Sequence, residues 1–101
     1  PGEWLWIELW ADDPEAAVES FEAALASEPD RLETLEALAV AHQRLGRPRE
    51  QARCLRAFVE RLPAERRAEP LTRLAALLQD PIGDLEAAVA IRWQILELPA
   101  P

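Results

Sequence analysis

Apolar residues recur three and four positions apart along most of the chain, the spacing of a helix with one buried face. Proline and glycine cut that pattern at helix-length intervals: Asp13-Pro14, Glu28-Pro29-Asp30, Gly46-Arg47-Pro48, Leu62-Pro63, Asp80-Pro81 and Ile82-Gly83-Asp84. A first helix is predicted over 14–27, with Asp13 as N-cap, Pro14 at its first position and Glu15 where the helix dipole favours an acid. Its inward stripe is Ala17, Val18, Phe21, Ala24 and Leu25. Asp30 and Glu33 have capping-box spacing and open a second helix through Leu32, Leu35, Leu38, Ala39, His42 and Leu45, which stops at Gly46. From Pro48 the stripe is Ala52, Leu55, Val59 and Leu62, with Arg49, Arg53, Arg56 and Glu60 on the opposite side. Residues 64–69 read as a first turn or a loop. A well-formed helix follows from about Glu69 to Gln79, because Pro70 denies a hydrogen bond to Arg66. Its stripe is Leu71, Leu74, Ala75 and Leu78; a last helix after Asp84 carries Ala88, Ile91, Ile95 and Leu98. The opening run from Trp4 to Trp10 is apolar on every side but Glu8, so periodicity does not separate helix from strand. Its place before a capped helix favours a short helix of roughly 3–11 packed antiparallel on its neighbour. Nothing reads as strand, and the fold class is all-α.

Composition agrees. Ala (19) and Leu (16) supply more than a third of the 101 residues, against 8 Val plus Ile and 2 Thr, and Ala and straight-chain residues lose little side-chain freedom in a helix. So much alanine makes a thin core, held by close approach of helices across small residues. Three Gly are too few for a glycine-rich phosphate loop, and one Cys and one His exclude a disulfide framework or a Cys/His zinc cluster. No cofactor or metal is expected. No apolar run approaches the roughly 18 residues of a membrane span and no signal-peptide pattern opens the chain, which reads as cytoplasmic. All eleven cations are Arg, and Lys, Asn, Tyr and Met are absent, the codon bias of a GC-rich, bacterial genome; the missing initiator Met predicts a piece of a larger protein.

The net charge of −8 is uneven: −10 over 1–36, +5 over 37–73 and −3 over 74–101. Overall acidity argues against nucleic-acid or anionic-membrane partners. The arginine series over 44–67 is the local exception. Arg49, Arg53 and Arg56 share a face, which reads as a solvated surface or one paired with acidic neighbours; docking of an acidic peptide is the sharper reading, and nucleic acid lacks an aromatic platform there.

The breakers also repeat. Pro29 to Pro63, Asp12 to Gly46 and Phe21 to Leu55 are each 34 residues apart, and the string Asp-x-Glu-Ala-Ala-Val at 13–18 returns at 84–89. The tetratricopeptide pattern, W-x2-L-G-x2-Y, then A-x3-F, then P, is echoed by Leu35, Leu38, Ala39 and His42, closed by Pro63. Ala17, Phe21, Ala24 and Pro29 match its second helix, and Leu71, Leu74, Ala75 and Leu78 its first helix again. The later copy fits either as Ala87 with Ile91 or as Ala88 with Arg92, with the extra residues 80–82 explaining the slip. The second unit departs by putting Gln51 or Ala52 at the small position. The chain therefore resembles the tetratricopeptide repeat family over nearly its whole length. That resemblance implies an α-solenoid of antiparallel helix pairs with about three units, near 1–29, 30–63 and 64–101, the first truncated.

The resemblance further implies a non-enzymatic module that binds a protein or peptide on the concave surface lined by the first helix of each unit. Carried over by position, that surface holds Glu33, Glu36, Val40, Gln43 and Arg44 from one unit and Glu69, Thr72, Ala76 and Gln79 from the next, with Trp6 and Trp10 facing the same groove. Family members that clamp a terminal carboxylate use Lys, Asn and Arg; this chain has Glu33 and Glu36 at such positions, so a basic or apolar peptide suits it better. His42 takes the slot of a large aromatic and reads as a packing residue without a nucleophile nearby, as does Cys54. The Trp cluster is either a core plug or an exposed patch for a neighbour. Uncapped array ends would give self-association, and the rival functions are a spacer or oligomerisation element, or a regulatory domain joined to a DNA-binding or enzymatic one.

Overall fold

A computed structural model describes residues 13–99. Among them are five α-helices and no strand: α1 (Pro14–Ser27), α2 (Leu32–Arg44), α3 (Pro48–Glu60), α4 (Ala68–Gln79) and α5 (Leu85–Glu97), with a 3-10 turn at Ala64–Arg66 before α4. The helix expected near 3–11, together with Trp6 and Trp10, lies outside the described residues. Local chemistry accounts for most boundaries. The Asp13 carboxylate accepts from the Ala16 amide at 3.1 Å and Asp84 does the same for Ala87 at 3.1 Å, so α1 and α5 start on side-chain caps. Gly46 sits at φ +68°, and the Arg47 amide reaches back to the His42 carbonyl at 2.9 Å. That left-handed residue ends α2 and turns the chain into α3, a conformation glycine adopts without a Cβ clash. Pro70 is third in α4, among the first-turn amides that have no intrahelical partner in any case.

The expected capping box at the start of α2 does not form. Arg31 is the N-cap and makes no side-chain cap hydrogen bond. Asp30 is engaged elsewhere: its carboxylate accepts from Arg61 Nε at 3.1 Å, across the end of α3. A second charged tie joins Glu15 in α1 to Arg47 before α3. Both ends of α1 are thus fastened near the ends of α3, by exposed pairs each worth at most about 1 kcal/mol.

Close backbone approach runs between successive elements: α1 on α2, α2 on α3, α3 on α4, and α4 on both the 3-10 turn and α5. The core follows the expected stripes in α2, α3 and α4, with Leu35, Leu38, Ala39, His42, Ala52, Leu55, Val59, Leu71, Leu74, Ala75 and Leu78 all buried. One stripe expectation changes, in α1. Ala24 in α1 is exposed, and only Ala17 and Val18 of that helix are fully buried. In α5 the expected stripe holds, with Ala88 and Ile91 buried and Ile95 and Leu98 half-buried against the core. Of the two repeat registers, Ala87 with Ile91 is half-buried and buried, whereas Ala88 with Arg92 pairs a buried residue with an exposed one that hydrogen-bonds Gln79 at 3.0 Å. The rotation of α5 is set by its packing on α4. That rotation leaves a second apolar stripe facing outward, Leu85, Val89, Trp93 and Leu96, the last 74% exposed.

Candidate functional site

Helices α2, α3 and α4, with the 3-10 turn, surround a cleft of about 1030 Å³. Glu36, Val40 and Gln43 from α2 form one wall, and Glu69, Arg73 and Ala76 from α4 form the other. Its floor comes from α3, through Leu55, Phe58 and Leu62, with Glu65 and Arg66 of the 3-10 turn at one end. Exposed positions of α2 alternate acid, apolar and amide groups, while its buried Leu35 and Ala39 also line the cleft from the same helix. Val40 is 44% exposed, an apolar side chain held at the rim of an apolar floor.

Charge in the cleft is weighted to acid. Glu36, Glu65, Glu69 and Asp80 line it against Arg66 and Arg73. Arg73 is already paired with Glu69 at 2.6 Å, one turn away on α4. The remaining carboxylates are free to meet a cation on an incoming ligand.

Of the residues assigned to the concave surface from sequence, Glu36, Val40, Gln43, Glu69 and Ala76 come together here. Glu33, Arg44, Thr72 and Gln79 do not line the cleft. Glu33 lies beside Arg31 at 3.8 Å, the Thr72 hydroxyl donates to the Ala68 carbonyl at 2.7 Å, and Gln79 meets Arg92 on α5. As the floor of a cleft this face was missed: Leu55 and Leu62 were read as core positions, and Phe58 was not singled out. Leu55, Phe58 and Leu62 form a ridge at spacings of three and four, a signal present in the sequence beside the stripe through Val59.

His42 is 5% exposed, and its Nδ1 is buried without a hydrogen-bond partner. Burial pushes its pKa below the ordinary 6.5; Glu50 and Glu22 oppose that shift, while Arg47 and Arg53 add to it. Burial likewise raises the Cys54 thiol above its usual range, with Arg53 opposing, so the thiol is a packing group. The lowered histidine gives a pH dependence of known sign. The unfolded chain takes a proton near the ordinary 6.5 while the folded chain resists it. Stability is therefore full above that pH and falls as pH drops from it towards the lower folded-state value. His42→Leu removes this component: between about pH 7.5 and pH 5.5 the urea midpoint of the variant falls less than that of the native chain. Equal falls would show that His42 is not the group responsible.

Among the described residues, no three His, Cys, Asp or Glu side chains are grouped to hold a metal ion, and no helix is long and apolar enough to cross a membrane. In comparisons with protein-family models, curated proteins and solved structures, the chain matches none.

Proposed function

We propose that the chain is a short stack of tetratricopeptide-like helical hairpins, a non-enzymatic module that docks a basic, apolar peptide in the cleft between α2 and α4. The observation that carries this reading is the cleft: an apolar floor from α3 between α2 and α4, with the carboxylates of Glu36 on α2, Glu65 on the 3-10 turn and Asp80 after α4 lining it outside the Glu69–Arg73 pair. The order of packing supports it, since α2 lies on α3 and α4 on α5, joined in series through the approach of α3 to α4. So does elongation, with extents of 38 × 28 × 23 Å and a radius of gyration of 14.3 Å, against about 13 Å for a compact domain of 100 residues. In this reading α1 is the second helix of a unit. The carboxylates steer a cationic ligand and set its orientation, while the Leu55–Phe58–Leu62 ridge supplies the contact area.

The reading is tested with a labelled peptide of alternating Arg and Leu, titrated into the 101-residue chain. Amide chemical shifts are expected to move on the facing sides of α2 and α4, and Val40→Arg is expected to weaken binding about tenfold by setting a like charge against the cationic peptide at the rim of an apolar surface. A peptide of Arg and Ser binds far more weakly if the floor matters. Shifts scattered over all acidic surfaces, or an affinity indifferent to Val40, would defeat the proposal. The outward stripe of α5 favours one second reading, an oligomerisation element. A sedimentation coefficient that rises with concentration and is restored by Trp93→Glu would establish that instead.

A further inference from the structure

On another surface of the molecule, α3 presents Arg49, Arg53 and Arg56 along one face, where they line a smaller cavity of about 270 Å³. Of the two expectations for this face, a solvated surface or pairing with acidic neighbours, the structure shows the first: all three arginines are exposed. Among the described residues the ion pairs belong to Arg31, Arg47, Arg61 and Arg73, and none of the three has a hydrogen bond or ion pair. Between them the cavity has an apolar floor of Ala52, Leu78 and Ile82, the first two buried. Its one acid, Asp84, is occupied in capping α5 through the Ala87 amide. Three uncompensated guanidinium groups over a small greasy floor make a site for an anion that carries apolar surface beside its charge.

We propose that this patch is a second docking site, for an acidic peptide segment of a partner protein with an aliphatic residue between its carboxylates. Length decides against a single small oxyanion. Arg49 to Arg56 is seven residues, about 10 Å along the helix at 1.5 Å per residue, whereas an extended peptide covers that distance in about three residues at 3.3 Å each. Carboxylates two and three residues apart therefore meet successive arginines, and the planar fork of each guanidinium suits a carboxylate. Nucleic acid is disfavoured by the net charge of −8 and by the absence of an aromatic side chain from the cavity lining.

The probe is a fluorescein-labelled Asp-Leu-Asp-Asp-Leu-Asp hexapeptide, followed by anisotropy on the whole chain at low salt. Saturable binding is expected, lost when every Asp of the probe is replaced by Asn and weakened about tenfold or more by Arg53→Glu combined with Arg56→Glu. Both arginines are exposed and unpaired, so the variant keeps its helical circular dichroism; Arg53→Gln with Arg56→Gln repeats the measurement without added repulsion. Equal binding of the Asn probe, or an affinity unmoved by either double variant, overturns the proposal. Tighter binding of an oligothymidylate of the same charge, sensitive to the same arginines, overturns it in favour of nucleic acid. The cleft is read separately, since it takes a basic peptide and none of its residues is altered.

Discussion

Truncating Leu74 to Ala is expected to cost about 3 kcal/mol of unfolding free energy, within the range of about 2–5 kcal/mol for emptying a fully buried leucine site. Leu74 is 1% exposed and, with Leu71, is one of the two largest fully buried side chains. It lies on α4, which packs against α3 on one side and α5 on the other, so its side chain cannot be replaced from solvent or by a loop. The loss is large against the total. Six of the seventeen buried apolar residues are alanines, which contribute little area each, and a domain of this size is stable by only about 5–15 kcal/mol. Urea unfolding measures the effect as a midpoint roughly 1–2 M lower, with an unchanged slope. Leu96→Ala is the control: Leu96 is 74% exposed, and its truncation is expected to stay within about 0.5 kcal/mol. Similar losses for the two would mean that α4 is not the centre of the core.

The neighbouring position should fail in the opposite direction. Ala75 is 0% exposed, and Ala75→Leu is expected to destabilise by about 1–3 kcal/mol, because three extra carbons must enter a contact already closed. Helix propensity does not contribute, as Leu and Ala are both strong helix formers. Ala76→Leu places the same side chain one residue along, on the exposed wall of the cleft, and is expected to be close to neutral for stability. A large gap between these two variants shows that Ala75 is small because helices approach there. A small gap would show that the alanine content reflects composition alone.

These paired substitutions separate local from non-local information, and the sequence reading divides along the same line. Helix boundaries at Pro14, Gly46 and Asp84 depend on residues within a few positions of one another, so they are visible in the chain itself. The capping box at Asp30 looked equally local, yet its carboxylate is taken by Arg61, thirty-one residues away. Spacing alone carries no trace of such a competitor. In α5 the inward stripe of Ala88, Ile91, Ile95 and Leu98 was legible at helical spacing, and the structure buries or half-buries all four; the second apolar stripe of Leu85, Val89, Trp93 and Leu96, left outside, was not singled out.

The candidate cleft divides in the same way. Glu36, Val40 and Gln43 follow from the rotation of α2, which its own buried stripe dictates. Their meeting with Glu69 and Ala76 over Phe58 depends on the angles at which α2 and α4 leave α3, and so on the side chains packed between them. By itself, then, the sequence determined an all-helical chain, most of its helix limits and its inward faces, because capping and a 3.6-residue period act over a single turn. Only the tertiary structure decided where the cleft opens and which arginines remain unpaired. Those outcomes depend on contacts between residues far apart in the chain, whose geometry no local spacing encodes.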